Sequence, residues 1–193
     1  MGKNRLEAFS DGVIAILITI MVLEMKVPHG EDFSALIGIW PVFLSYVLSF
    51  IYLGIYWNNH HHMLHTVKRV SGSILWANLL LLFFLSLVPF TTGWMGENHF
   101  ARDTVVLYCL NLLAAALGYY HLQTRIKVVH GEESALSRAL GKDWKGKFSL
   151  VAYTVAILGA WFVAPWLGLA IAALVAVLWL IPDQRIEKAL TEE

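Results

Sequence analysis

Cysteine occurs once in these 193 residues, as Cys109, so no disulfide can form within the chain and nothing follows about redox compartment. Charge is scarce as well. Only 15% of residues are Asp, Glu, Lys or Arg, and the 14 basic side chains are matched by 14 acidic ones. Zero formal net charge argues against a nucleic-acid partner, which needs a basic surface. No low-complexity tract and no internal repeat is evident. The N-terminus has a basic start and an apolar run that invite a signal-peptide reading. That run ends Val-Leu-Glu-Met-Lys-Val-Pro, without a small-residue cleavage site, so it is read as the first helix of the protein.

What the chain has in abundance is apolar surface: 58% of its residues are hydrophobic. That proportion, with so little charge, marks a bilayer protein. Several apolar stretches approach the roughly 20 residues that a helix needs to cross about 30 Å of hydrocarbon. Six spans are expected, over residues 6–25, 35–58, 72–92, 103–124, 148–163 and 166–182. They form one membrane domain, 1–193, of all-α class. Pro165 disfavours helix at the residue before it and removes a backbone donor, which favours a tight hairpin between the last two spans over one long helix. The stretch 127–147, with Gly131, Gly141 and Gly146, reads as a loop holding a short helix around Glu132 to Leu140.

Charge placement orients the spans. With the N-terminus inside and six crossings, the inner segments hold Lys3, Arg5, Lys68, Arg69, Arg125, Lys127, Arg138, Lys142, Lys145, Lys147, Arg185 and Lys188, and the outer ones only Lys26 and Arg102. Twelve against two is a strong positive-inside bias. Five crossings would move Arg185 and Lys188 outside and leave ten against four. Both termini are therefore expected in the cytoplasm. Trp40, Trp94, Trp144, Trp161 and Trp166 lie near span ends, at the depth where amphipathic rings settle.

The first span carries the least expected residue, Asp11, near the entrance of an apolar helix. An ionised carboxylate on a membrane helix costs about 2.5 kcal/mol or more, so something must compensate for it. At about 100° per residue, Ile16, Ile20 and Leu23 fall within about 60° of one another, and Phe9 and Gly12 continue the stripe. Asp11 projects about 140° from Ile16, toward neighbouring helices. Thr19, about 60° from Ile16, can face a cavity or bond back to the Ala15 carbonyl. Taken alone, an aliphatic stripe on a membrane helix is ordinary packing or lipid-facing surface.

Helix two ends in a polar run, Trp57-Asn58-Asn59-His60-His61-His62-Met63-Leu64-His65, and helix three supplies Ser73, Trp76, Asn78 and Ser86 before Pro89. Asn and His side chains turned into the bundle are able to satisfy Asp11. His61 and His65 stand one turn apart, as zinc ligands on a helix do. With no intervening glutamate and no nearby cysteine, no metal site is expected there; interhelical hydrogen bonding and simple exposure at the interface are the readings left. Histidines near the surface also titrate close to neutral pH.

These residues carry a resemblance. Arg5-x-x-x-Phe9-Ser10-Asp11 followed by Ile-Ala-Ile-Leu-Ile-Thr-Ile-Met-Val-Leu-Glu, then Asn-His-His at the end of helix two and Trp-x-Asn with Ser-Leu-Val-Pro-Phe-Thr on helix three, resembles the bacterial relatives of the endolysosomal potassium channel transmembrane protein 175. The motifs cover about the first 95 residues, and the remainder agrees in span count and length. The resemblance implies a homotetramer of six-helix subunits in a bacterial inner membrane, with helix one from each subunit lining a central pore. It implies that Ile16 forms the narrowest constriction, Ile20 and Leu23 further hydrophobic rings, and Thr19 a polar layer. Arg5, Phe9, Ser10 and Asp11 become a network bracing the pore helix, with Asn59, His60, His61, Trp76, Asn78 and Ser86 as possible partners. The partners expected are other copies of the chain, membrane lipid and permeant potassium or other monovalent cations; no cofactor is expected.

A ring of isoleucines offers a cation no oxygen ligand, and the chain has no Thr-Val-Gly-Tyr-Gly filter, so selectivity for potassium over sodium is expected to be modest. Two other function classes compete. A proton-coupled secondary transporter using Asp11 and the helix-two histidines normally shows inverted repeats or broken helices, which are not evident. An enzyme is not expected, because the polar groups are mostly Asn, His and Ser with a single acid.

Overall fold

The computed structural model describes residues 2–131, 134–140 and 143–180. All regular structure in it is helical: α1 (Lys3–Ile20), α2 (Trp40–His65), α3 (Gly72–Ser86), α4 (Val88–Glu97), α5 (Arg102–His130), the short α6 (Ala135–Leu140), α7 (Trp144–Phe162) and α8 (Pro165–Leu180). 3-10 turns over Met21–Glu24 and Phe33–Ile39 extend α1 at its end and α2 at its start. Four runs, Lys3–Glu24, Phe33–His65, Gly72–Glu97 and Arg102–His130, are long and apolar enough to cross a membrane. α8 is a shorter apolar helix, and α7 carries Lys145 and Lys147 in its first turn.

The helices run about one or two turns past the apolar windows, because their polar ends find partners. Ser71 caps α3 by accepting from the Ile74 N–H at 3.3 Å. Asp143, in a left-handed conformation at φ 41°, caps α7 through the Gly146 N–H. α5 ends at Gly131, whose φ of 83° suits glycine and closes the helix onto the Lys127 carbonyl. The linker between α5 and α7 therefore spans 131–143, shorter than the charged stretch suggests. Glu132, Gly141 and Lys142 lie outside the described residues, as do 181–193 with Arg185 and Lys188.

α3 and α4 form one bent rod broken at Leu87. Pro89 has no N–H to give and crowds the preceding turn, so the helical ladder is interrupted there. Asn111 of α5 repairs the break: with its amide oriented by its hydrogen bonds, it donates to the Phe84 carbonyl at 3.1 Å and accepts from the Val88 N–H at 3.3 Å. Close by, Ser49, Thr92 and Tyr108 join α2, α4 and α5 through buried hydroxyl contacts of 2.6 and 3.0 Å. α4 lies against α2 where Gly96 meets Val42; a β-carbon at Gly96 would stand 2.7 Å from the Val42 Cα.

α7 and α8 form an antiparallel hairpin about Val163 and Ala164, both of whose N–H groups return to the Gly159 carbonyl at 3.0 Å. Pro165 begins α8, a position where its missing donor costs nothing. The pair is held close by small residues, since a β-carbon at Gly168 would lie 2.8 Å from Ala160 Cβ. At the far end Trp179 donates to the Ser149 hydroxyl at 2.8 Å. α5 is the axle of the subunit, packing on α3, α4, α7 and α8, while α1 lies at one side against α2 and α3.

Candidate functional site: the free face of α1

α1 has two faces of different fate. Leu6, Ser10, Ile14 and Leu17 are buried, with Met21 just beyond the helix, at spacings of three or four residues that put them on one stripe. Arg5, Phe9, Gly12, Ile16, Thr19, Ile20 and Leu23 are exposed on the subunit. Ile16 is 62% exposed, Ile20 44% and Leu23 76%. The Thr19 hydroxyl turns back on its own helix and donates to the carbonyls of Ala15 and Ile16 at 3.0 and 3.1 Å. Between Asp11 and Glu24 the helix carries no charged side chain.

The buried stripe is anchored by a chain of polar groups. Ser10 donates to the Leu6 carbonyl at 2.9 Å and accepts from Asn78 Nδ2 at 2.9 Å. Asn78 Oδ1 stands 2.7 Å from His60 Nε2. Because the Asn78 nitrogen is committed to Ser10, its oxygen must be the acceptor, so His60 carries a proton on Nε2. His60 Nδ1 is buried without a partner. α1, α2 and α3 are thus joined by three side chains that are each at most 1% exposed. In an apolar bundle such a chain fixes rotation, since a turn of α1 about its axis would strand all three.

Asp11 is held differently. Its Oδ1 accepts from the Trp57 indole N–H at 3.0 Å. Of the Asn and His groups expected to compensate it, Asn78 reaches Ser10 instead and His60 joins Asn78, because Ser10 lies on the buried stripe and Asp11 is about 100° further round, at the edge facing α2. Trp57 heads the polar run of α2, and its indole N–H is a fixed donor that needs no change of tautomer. At the start of α1, Lys3 donates to the His65 carbonyl at 2.6 Å and stands 3.8 Å from Glu7. Arg5 makes no side-chain hydrogen bond or ion pair among the described residues.

The remaining candidates are scattered. Asn59 is buried but turns from α1: its amide donates to the Ile55 carbonyl at 2.9 Å, and its own carbonyl accepts from the Tyr119 hydroxyl at 3.2 Å. His61 is exposed and stacks with Trp57 at 6.2 Å between ring centroids, with His65 edge-on at 6.1 Å. Trp76 is 75% exposed on the outer side of α3. Ser86 is exposed and donates to the Phe83 carbonyl. Among the described residues no three His, Cys, Asp or Glu side chains gather as a metal site would require.

At the opposite end of α1 the Glu24 carboxylate lies over Gly93, and Lys26 pairs with Glu97 at 2.8 Å. The Glu97 hydrogen bond and charge raise the pKa of this fully exposed lysine above the ordinary lysine value. The arrangement has the parts of a lining and its brace: an uncharged aliphatic face left free, and a polar and apolar back that holds it in one rotation.

Comparison with known proteins adds the context. The family model described as the endosomal/lysosomal potassium channel TMEM175 matches residues 5–89, which take in α1, α2, α3 and the start of α4. A potassium channel of Chryseobacterium sp. strain P1-3 is 52% identical over 192 residues, covering 100% of both chains. A potassium channel of Streptomyces collinus is 37% identical over 128 residues, 62% of each chain. Among solved structures, the crystal structure of a homolog of the lysosomal potassium-selective channel TMEM175 from Chamaesiphon minutus superposes with a TM-score of 0.82 at 30% identity, over 94% of this chain and 97% of that one.

Proposed function

This chain belongs to the TMEM175 family, and from that premise we propose that it is a potassium-permeable cation channel built from four copies of itself. Each subunit crosses the membrane six times, with both termini in the cytoplasm of a bacterial cell, as the bias of basic residues suggests. α1 from each subunit lines a central pore. The observation that carries this reading is the free face of α1. Ile16, Ile20 and Leu23 are exposed on a helix whose opposite face is fully engaged, and whose rotation is set by the Ser10, Asn78 and His60 chain.

Four copies of Ile16 make the narrowest ring, with Ile20 and Leu23 as further rings and Thr19 as the polar layer between them. Arg5, Phe9, Ser10 and Asp11 brace the helix. An isoleucine ring in its narrow state is a dewetted barrier, and conduction requires it to widen until water re-enters. Potassium sheds its hydration shell more cheaply than sodium, which yields a modest preference without matched carbonyl oxygens. No cofactor is involved, and the permeant ions are monovalent cations. Asp11 is bonded to Trp57 and not to a histidine, which supports a bracing carboxylate over one in a proton relay.

The test is potassium and sodium flux in liposomes. Ile16→Asn wets the ring, and leak should rise about tenfold or more, equivalent to about 1.4 kcal/mol off the barrier, while discrimination falls. Unaltered rate and preference, or a protein that elutes as a stable monomer, would remove the pore from the account.

A further inference from the structure

An open groove of about 610 Å³ runs down the outside of the subunit between α3 and α5, and no residue of α1 lines it. Its size falls within the roughly 300–1,000 Å³ of ligand sites. The two helices are antiparallel: a β-carbon at Gly118 would meet Leu81, and Asn111, earlier on α5, reaches Phe84 and Val88, later in the chain. His121 and Arg125 of α5 therefore stand beside the first turns of α3, at the end of the bundle where α2 gives way to α3. The groove changes character along its length. Ser73, Trp76, His121 and Arg125 make a polar mouth, and Leu79, Leu80 and Phe83 an apolar floor deeper along α3. From Ser73 to Phe83 is about 15 Å of helix, half of a hydrocarbon core about 30 Å thick, so the groove is one leaflet deep.

The mouth is rich in donors that the subunit leaves unused. The side chains of Trp76, His121 and Arg125 make no hydrogen bond, ion pair or ring contact among the described residues. Arg125 is exposed and always charged, and an arginine at the border of the hydrocarbon needs water or an anion beside it. A second copy of the chain is poorly suited to supply that anion. The described carboxylates at this end are Glu7, Asp11 and Asp143, and they are engaged by Lys3, by Trp57, and by Gln123 with the Gly146 N–H. The phosphate of a lipid headgroup lies at the right depth and has the right charge.

We propose that the groove between α3 and α5 is a binding site for one anionic phospholipid per subunit. The phosphate sits against the Arg125 guanidinium, with the Trp76 indole N–H and a His121 ring N–H as further donors. One acyl chain lies along Leu79, Leu80 and Phe83. A zwitterionic lipid binds less tightly, because its own ammonium competes with Arg125 for the phosphate charge. Since α1 contributes nothing to the groove, its occupancy holds whether or not α1 lines a pore.

The experiment titrates the full chain in detergent with dioleoylphosphatidylglycerol or dioleoylphosphatidylcholine and counts bound lipid by native mass spectrometry. One phosphatidylglycerol per subunit should bind about fivefold or more tightly than phosphatidylcholine, the effect of one basic group on an anionic lipid. Arg125→Gln should remove that preference, while Lys147→Gln, an equal loss of charge from α7 at the same end, should keep it. Leu80→Trp, which fills the apolar floor, should weaken both lipids with elution volume unchanged. Equal affinity for the two lipids, or a preference that survives Arg125→Gln or falls as far with Lys147→Gln, would overturn the proposal. So would full competition by soluble glycerol 3-phosphate, which would mark a phosphate site instead of a lipid site. Loss of subunit assembly in Leu80→Trp would overturn it in favour of a contact between copies of the chain.

Discussion

On its inner face α1 sets Leu6, Ser10, Ile14, Leu17 and Met21 into the subunit, and on its outer face it leaves Phe9, Ile16, Ile20 and Leu23 uncovered. Ile14 and Ile16 are chemically identical and two residues apart, about 200° round the helix, yet Ile14 is wholly buried and Ile16 mostly bare. In a membrane helix, hydrophobicity does not tell a packing surface from a lining, because lipid, protein and a dewetted pore all accept the same side chains. Polar punctuation makes the distinction. Ser10 belongs to the inner stripe and finds Asn78, and that bond decides which isoleucine is buried.

The sharpest way to break this contrast is to truncate the two isoleucines separately. Ile14→Ala opens a cavity against α2 and α3 and should cost about 2–4 kcal/mol of stability, read as a lower melting temperature in detergent. Ile16→Ala should change melting by less than about 0.5 kcal/mol while altering flux. Equal melting losses at the two positions would mean that the outer face is packed within the subunit after all.

A smaller effect tests what sets the rotation of α1. Asn78→Leu keeps the volume but leaves Ser10 and His60 without the amide between them, at a cost of about 1–2 kcal/mol. Both melting and ion discrimination should suffer, since the free face loses its register. A variant that melts lower with conduction untouched would confine the network to stability. Smaller still is the pair at the other end of α1. Lys26→Met should leave melting unchanged, because the lysine is fully exposed. Its pKa is raised by Glu97, so whatever the pair contributes is present below the ordinary lysine pKa and lost only as pH rises through the raised value. Melting of the wild type and Lys26→Met should therefore run parallel from pH 6 to pH 9, checked by a pH series of melting curves.

The same contrast explains what was legible before the structure. Apolar runs foretell helices, and Pro165 foretells the break before α8, because both act through the local backbone. The angle between Asp11 and Ile16 follows from helical geometry alone. Which partner reaches which polar group does not. Asp11 meets Trp57, Asn78 meets Ser10 and His60 meets Asn78, by the way α2 and α3 cross α1. Asn111, the residue that seals the break before Pro89, carries no local signal; a lone asparagine in an apolar helix announces only that some partner exists. The polar run of α2 likewise looks like a helix end, yet the helix continues to His65 because Trp57, His60 and His61 each find a ring or hydrogen-bond partner on or beside it.

The most direct test of the free face of α1 as the ion path uses a single thiol. Cys109 is buried, so the wild type supplies a quiet background for Ile16→Cys in proteoliposomes exposed to silver ion, a thiol-reactive monovalent cation. Rapid, irreversible loss of potassium flux in Ile16→Cys, with Ile14→Cys and wild type unaffected, is the predicted result. Continued flux through Ile16→Cys with its thiol shown to be modified would contradict the assignment.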